Sequence, residues 1–236
     1  MSRPPETLTI EESEKLLTTL RNDGVTGFAA WKYLRNYTMG LLMLDAGLRV
    51  GEVVCLKTHD LIFGEKPVLA LDMNAKKAEK KCERLIPTTE RLQKAIADCN
   101  EKIWKPLGIY ESTPCFFDQY CEEHISTRQV QRIIGFASLT TFGRVIHPHV
   151  LRHTFATRLM RVTSTSVVQQ LLGHKNINST QVYMHANGDD CKKAIDAISK
   201  VNIEEPLLRT KVPDIGTMAA GSHQPGAPKK MNQVSP

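Results

Sequence analysis

Apolar residues return at helical spacing through most of the chain, and a single insert, Lys66–Pro87, switches to the pattern of short strands. Such a chain folds by packing helices on one another, with its sheet confined to that insert. The first helix announces itself at Thr9-Ile10-Glu11-Glu12, a capping box followed by Leu16, Leu17 and Leu20 on one face. Asn22-Asp23-Gly24 ends it. A second apolar-periodic segment runs from about Phe28 to Ala46 through Trp31, Leu34, Met39, Leu42 and Met43. Gly47 stands where a residue past a helix end turns left-handed. A short helix is predicted over Val50–Leu56, and longer ones over Thr88–Trp104 and from the cap Ser126 through Val130, Ile133, Ile134 and Phe136. Three more are expected around His149–Met160, Thr165–Leu172 and Asp189–Val201.

Within the insert, Pro67–Leu71 and Arg84–Pro87 are β-type runs on either side of Lys76-Lys77-Ala78-Glu79-Lys80-Lys81. They predict a small antiparallel hairpin with a cationic tip. The expected fold class is therefore mostly α with a small antiparallel β-sheet, an α+β arrangement. Past Pro206 large apolar residues become scarce while Gly and Pro accumulate, the composition of a disordered tail. The division that follows is an N-terminal extension over 1–6, one domain over 7–203 and a tail over 204–236.

Several function classes recede on composition. No apolar run approaches the ~20 residues that span a bilayer, and Met1–Pro5 lacks the apolar core of a signal peptide. The six cysteines are scattered with no CxxC pair, which reads as reduced thiols and not as a disulfide or zinc framework. Lys and Arg number 31 against 25 Asp and Glu, a net +6 that favours an anionic partner.

Three fragments carry chemistry. After Pro148, a residue suited to the first helical turn, Leu151, Phe155 and Leu159 form a buried stripe. His149 and Arg152, three apart, are neighbours on a face turned away from that stripe. Further on, Gly173 ends an apolar helix in Leu172-Gly173-His174 and places His174 just past its terminus. Asn178-Ser179-Thr180 can cap a short helix bearing Tyr183. The third fragment is Gly47-Leu48-Arg49-Val50-Gly51-Glu52, where Glu52 lies one turn beyond Arg49. Singly, each has a plain structural reading: a histidine capping its own helix, a surface ion pair, a half-buried tyrosine.

In conjunction and in this order they resemble the tyrosine recombinases, the phage-integrase family. The resemblance covers roughly residues 7–200 and is carried most specifically by His147–Thr157, Leu172-Gly173-His174 and Tyr183. It implies the tyrosine recombinase catalytic-domain fold, with Arg49, Lys76, His149, Arg152, His174 and Tyr183 as catalytic residues and Glu52 supporting Arg49. Because the turn is longer than the family's usual one, Lys77, Lys80 and Lys81 compete with Lys76 for the hairpin position, and lining up the first strand favours Lys76, with Lys77 next. The implied reaction cuts and rejoins duplex DNA through a 3′-phosphotyrosine with no cofactor and no metal. The implied partners are double-stranded DNA and three further copies of the chain, a tetramer on synapsed duplexes, in the cytoplasm at the nucleoid. Two alternatives stay open: strand relaxation of the type IB topoisomerase kind, and a non-catalytic DNA-binding remnant. The second arises because catalytic-type sequence begins at Leu8-Thr9-Ile10, without the helical clamp domain that commonly precedes it.

Overall fold

The computed structural model describes residues 6–26, 30–73, 84–110, 113–118, 123–173 and 191–198. Helix α1 (Ile10–Arg21) opens on the expected capping box, with Thr9 accepting from the Glu12 N–H and the Glu12 carboxylate taking the Thr9 N–H. Leu16, Leu17 and Leu20 are buried against α2 (Ala30–Leu44), which also packs on the helices at Glu90–Cys99 and Pro148–Val162. Two short helices follow, α3 (Val50–Val54) and α4 (Thr58–Leu61).

Two two-stranded antiparallel ladders stand where one hairpin was expected, and the first begins at Ile62, ahead of the strand-forming insert. Strand β1 (Ile62–Phe63) pairs with β2 (Lys66–Pro67) across Gly64-Glu65, both at positive φ, the conformation of a tight two-residue hairpin turn. Strand β3 (Ala70–Asp72) pairs with β4 (Leu85–Pro87) in the register Ala70↔Pro87, Leu71↔Ile86, Asp72↔Leu85. The run Pro67–Leu71 is thus divided between two ladders. The second is the base of the expected hairpin, whose lysine-rich tip lies outside the described residues.

Helix α5 (Glu90–Cys99) is capped by Thr89 and passes into a π turn, Asn100–Trp104, so the predicted helix over Thr88–Trp104 changes pitch near its end. The wider turn leaves Ile103 and Trp104 buried, with the indole N–H donating to the Cys115 carbonyl at 2.9 Å. Helix α6 (Thr127–Phe142) starts at Ser126, which accepts from Gln129, and buries Val130 and Ile134, but Phe136 points outward and is 73% exposed. Helix α7 (Pro148–Val162) has Pro148 in its first turn and fully buries Leu151, Phe155 and Leu159, the stripe expected of it. Helix α8 (Thr165–Leu172) ends at Gly173, which is left-handed with φ 62°. Residues 191–198 form a last helix whose Cys191, Ala194, Ile195 and Ile198 are buried in the chain's own core. The segments 1–5 and 199–236, with the expected tail, lie outside the described residues.

A buried charge network joins three of these helices. Asp45, just past α2, is 3% exposed and accepts from Arg91 Nε and Nη2, each at 2.6 Å, and from the Thr89 hydroxyl at 2.9 Å. Arg91 also reaches Glu14 of α1 at 2.6 Å. A bidentate pair of this kind, with a third donor on the same carboxylate, fixes register between elements as well as adding energy.

Candidate active site

The turn between α2 and α3 rests directly on α7. Gly47 has φ 61°, and a Cβ there would strike the ring of Phe155, so only glycine lets the two backbones approach. This exposes the Gly47 carbonyl to two guanidinium groups, Arg152 Nη1 and Arg84 Nη2, the latter at 3.5 Å. Two residues on, Arg49 is the N-cap of α3. Its backbone N–H donates to Glu52 Oε2 at 2.7 Å and its Nη1 to Oε1 at 3.0 Å, so one carboxylate holds both ends of the residue.

Glu52 does more than support Arg49. Arg84 Nη1 donates to the same Oε1 at 2.9 Å, and Arg152 Nη1 stands 4.0 Å from Oε2. Three cations thus surround one anion, an excess of two positive charges. Arg152 Nη2 donates to the Leu172 carbonyl at 2.7 Å, and Arg84 Nε to the Leu171 carbonyl at 2.6 Å. The last turn of α8 is therefore tied to the same cluster, immediately before Gly173 and the position of His174.

Burial is graded across the group. The side chains of Arg84 and Arg152 are 6% and 8% exposed, whereas that of Arg49 is 38% exposed. Burial works to raise the carboxyl of Glu52. The charge of Arg84, the Arg49 N–H and the charges of Arg49 and Arg152 outweigh it and hold the group below the ordinary carboxylate range. Burial, then the like charges of Arg49 and Arg84, pushes the Arg152 guanidinium down to about 10, which leaves it charged at neutral pH. A crowd of desolvated cations with one anion between them has an unmet demand for negative charge, and phosphate oxygens match its fork geometry.

The structure brings together Arg49, Glu52 and Arg152, three of the residues singled out in the sequence. His149 is exposed at the start of α7, one turn before Arg152. Lys76, Lys77, His174 and Tyr183 lie outside the described residues. Arg84 is the member that sequence reasoning missed, taking it only as the first residue of a strand. The available signal was a lone arginine set against the apolar run Leu85-Ile86. Arg152, whose plain reading was a surface ion pair, is instead buried on two main-chain oxygens.

Comparison with known proteins bears on this cluster. The profile of the phage integrase family matches residues 6–189, more than half the chain and every element that builds the site. The chain belongs to the phage integrase family. Among relatives in that family, a tyrosine recombinase of Pseudothermotoga lettingae is 32% identical over 201 residues, covering 84% of this chain and 62% of that protein. The tyrosine recombinase XerC of Pediococcus pentosaceus is 29% identical over 165 residues, 68% of this chain and 53% of its own length. The chain thus spans between about half and three-fifths of the curated relatives it matches. The crystal structure of the XerA recombinase superposes with a TM-score of 0.60 at 23% identity, over 84% of this chain and 66% of that one. The XerH site-specific recombinase bound to palindromic difH substrate gives 0.52 at 24% identity, over 84% of this chain and 53% of that one. These likenesses establish the fold of the integrase family: a mostly helical domain carrying small antiparallel ladders. Among the described residues no group of three or more His, Cys, Asp or Glu is placed to hold a metal ion, and no helix is long and apolar enough to cross a membrane.

Proposed function

We propose that this chain is the catalytic part of a site-specific DNA recombinase, cutting and rejoining duplex DNA through a 3′-phosphotyrosine. The observation that carries the reading is the pair Arg49 and Arg152 held on either side of Glu52, within a chain of the phage integrase family. Two guanidinium groups anchored from behind can each offer donors to a non-bridging oxygen of one phosphate. They would stabilise the charge that grows in a pentavalent transition state, and preorganisation makes that worth several kcal/mol. Arg128 and Arg132, one turn apart on α6, line a groove of about 1120 Å³ that reaches His147, and supply cationic surface for the flanking phosphates.

In this reading Tyr183 is the nucleophile. A free phenol has a pKa near 10, so Tyr183 gives its proton to His149 as the oxygen–phosphorus bond forms. The bond from phosphorus to the 5′ oxygen breaks, and that oxygen takes a proton from Lys76 or Lys77. His174 donates to a phosphate oxygen. The ester keeps the bond energy, so a second 5′-hydroxyl can reverse the step on a new partner strand with no nucleotide cofactor. The same reading assigns residues 7–203 to the catalytic domain, between the extension 1–6 and the tail 204–236. It sets the reaction in the cytoplasm at the nucleoid, with four copies on two synapsed duplexes.

The test is a covalent trap. Nicked suicide duplexes tiled from the DNA flanking the chain's own gene should yield a protein–DNA adduct resistant to denaturant, and Tyr183→Phe should abolish it. An adduct that persists in Tyr183→Phe refutes the nucleophile. Absence of any adduct across the tiling refutes catalysis and leaves a DNA-binding remnant. Relaxation of any supercoiled plasmid, without exchange between defined sites, would point to the topoisomerase-like alternative.

A further inference from the structure

We infer that Arg84 is the counter-ion of Glu52, a positioning residue that keeps the carboxylate from offsetting the charge that Arg49 and Arg152 together present to a bound phosphate. The inference rests on the recombinase reading above and concerns a residue to which that reading gives no part. A carboxylate placed to orient Arg49 has an electrostatic drawback. Standing beside both phosphate-binding guanidinium groups, it offsets one of their two charges and adds its own repulsion to an incoming anion. Arg84 removes that drawback. Its Nη1 shares Glu52 Oε1 with Arg49 at 2.9 and 3.0 Å, and with a side chain only 6% exposed it is shielded from the solvent that would weaken the pairing.

The remaining contacts of Arg84 fix it in this place. Nε donates to the Leu171 carbonyl at 2.6 Å and Nη2 approaches the Gly47 carbonyl at 3.5 Å, so all three guanidinium nitrogens have acceptors within the cluster. Each of its nitrogens donates to a protein oxygen, and Arg84 acts on a bound phosphate through Glu52. Arg152 Nη1, meanwhile, stays 4.0 Å from Glu52 Oε2, beyond hydrogen-bond reach, and bonds instead to main-chain carbonyls. Those carbonyls carry no net charge, so Arg152 faces the phosphate position undiminished. Without Arg84 the carboxylate would be balanced by Arg49 and Arg152 alone and would draw them inward.

The experiment measures adduct formation per folded molecule on two versions of the suicide duplex. One carries the ordinary diester; in the other a methylphosphonate at the scissile position removes the negative charge that the guanidinium pair must meet. Arg84→Gln, which deletes the cation, should slow adduct formation about 100-fold on the diester and less than about 5-fold on the methylphosphonate. Arg84→Lys, which keeps the charge but not the fork, should fall between Arg84→Gln and the parent chain. The double variant Arg84→Gln/Glu52→Gln, which deletes cation and anion together, should recover part of the Arg84→Gln loss on the diester, a coupling that independent effects would not produce. Equal losses on the two substrates, or a double variant as slow as the product of the single effects, would overturn the inference. If the parent chain forms no adduct on the diester, the recombinase reading itself falls and takes this one with it.

Discussion

Replacing Glu52 with Gln keeps the size of the side chain and one acceptor oxygen but removes the anion from among three guanidinium groups. Breaking a desolvated ion pair by deleting one partner destabilises a protein by about 3–5 kcal/mol, mostly because the other charge is left uncompensated. Glu52 is 18% exposed, so solvent reaches part of the site, and the lower end, about 3 kcal/mol, applies. For a domain of roughly 200 residues each kcal/mol moves Tm by about 2–4 °C, which predicts a fall of about 6–12 °C at pH 7. Two further measurements separate this electrostatic account from simple loss of packing. Phosphate or sulfate at tens of millimolar should raise the Tm of Glu52→Gln more than that of the parent chain, since an anion can occupy the position of excess positive charge. Acid supplies the second. The Glu52 carboxyl is held below its ordinary value of 4.5, so its contribution is complete above that value and is lost as pH falls through the folded-state value. Once Glu52 is protonated, parent and variant present the same uncompensated cations, and their Tm difference should close. A fall of less than about 2 °C at pH 7, or a gap that stays constant into acid, refutes the reasoning.

Two other substitutions test the framework around the site. Gly47→Ala should lose about 2–4 kcal/mol in a urea titration, the sum of a left-handed backbone forced on alanine and overpacking against Phe155; a midpoint unchanged from the parent would show that the turn can move off α7. Asp45→Ala should lose about 3–5 kcal/mol in the same titration. The Arg91→Ala loss should not add to it in the double variant, because the two residues form one network.

The features legible in the sequence are those set by neighbours along the chain. The Thr9–Glu12 capping box, the Leu151–Phe155–Leu159 stripe, the left-handed Gly47 and the helix stop at Gly173 each depend on residues within about two turns, and each is present as expected. The pairing of Arg49 with Glu52 is of the same kind, an N-cap and a residue three positions on in one short helix. Arg84 was hidden because its partners Glu52, Gly47 and Leu171 lie 32, 37 and 87 residues away. Nothing along a strand says which buried acceptor a long polar side chain will find. The β1–β2 turn escaped notice because Glu65 occupies a left-handed position usually given to Gly or Asn. The π turn at Asn100–Trp104 accompanies the burial of Trp104, whose indole N–H bonds to Cys115 beyond the helix.

Three of the oxygens that anchor the buried arginines belong to the main chain, at Gly47, Leu171 and Leu172. A codon change can delete a guanidinium or a carboxylate, but every residue brings its own peptide oxygen. That half of the scaffold is therefore beyond the direct reach of point mutation and can be disturbed only by bending the backbone that aims it. Second-site suppressors of a weakened arginine should accordingly map to side chains that shape the turns at 45–48 and 171–173, Phe155 first among them.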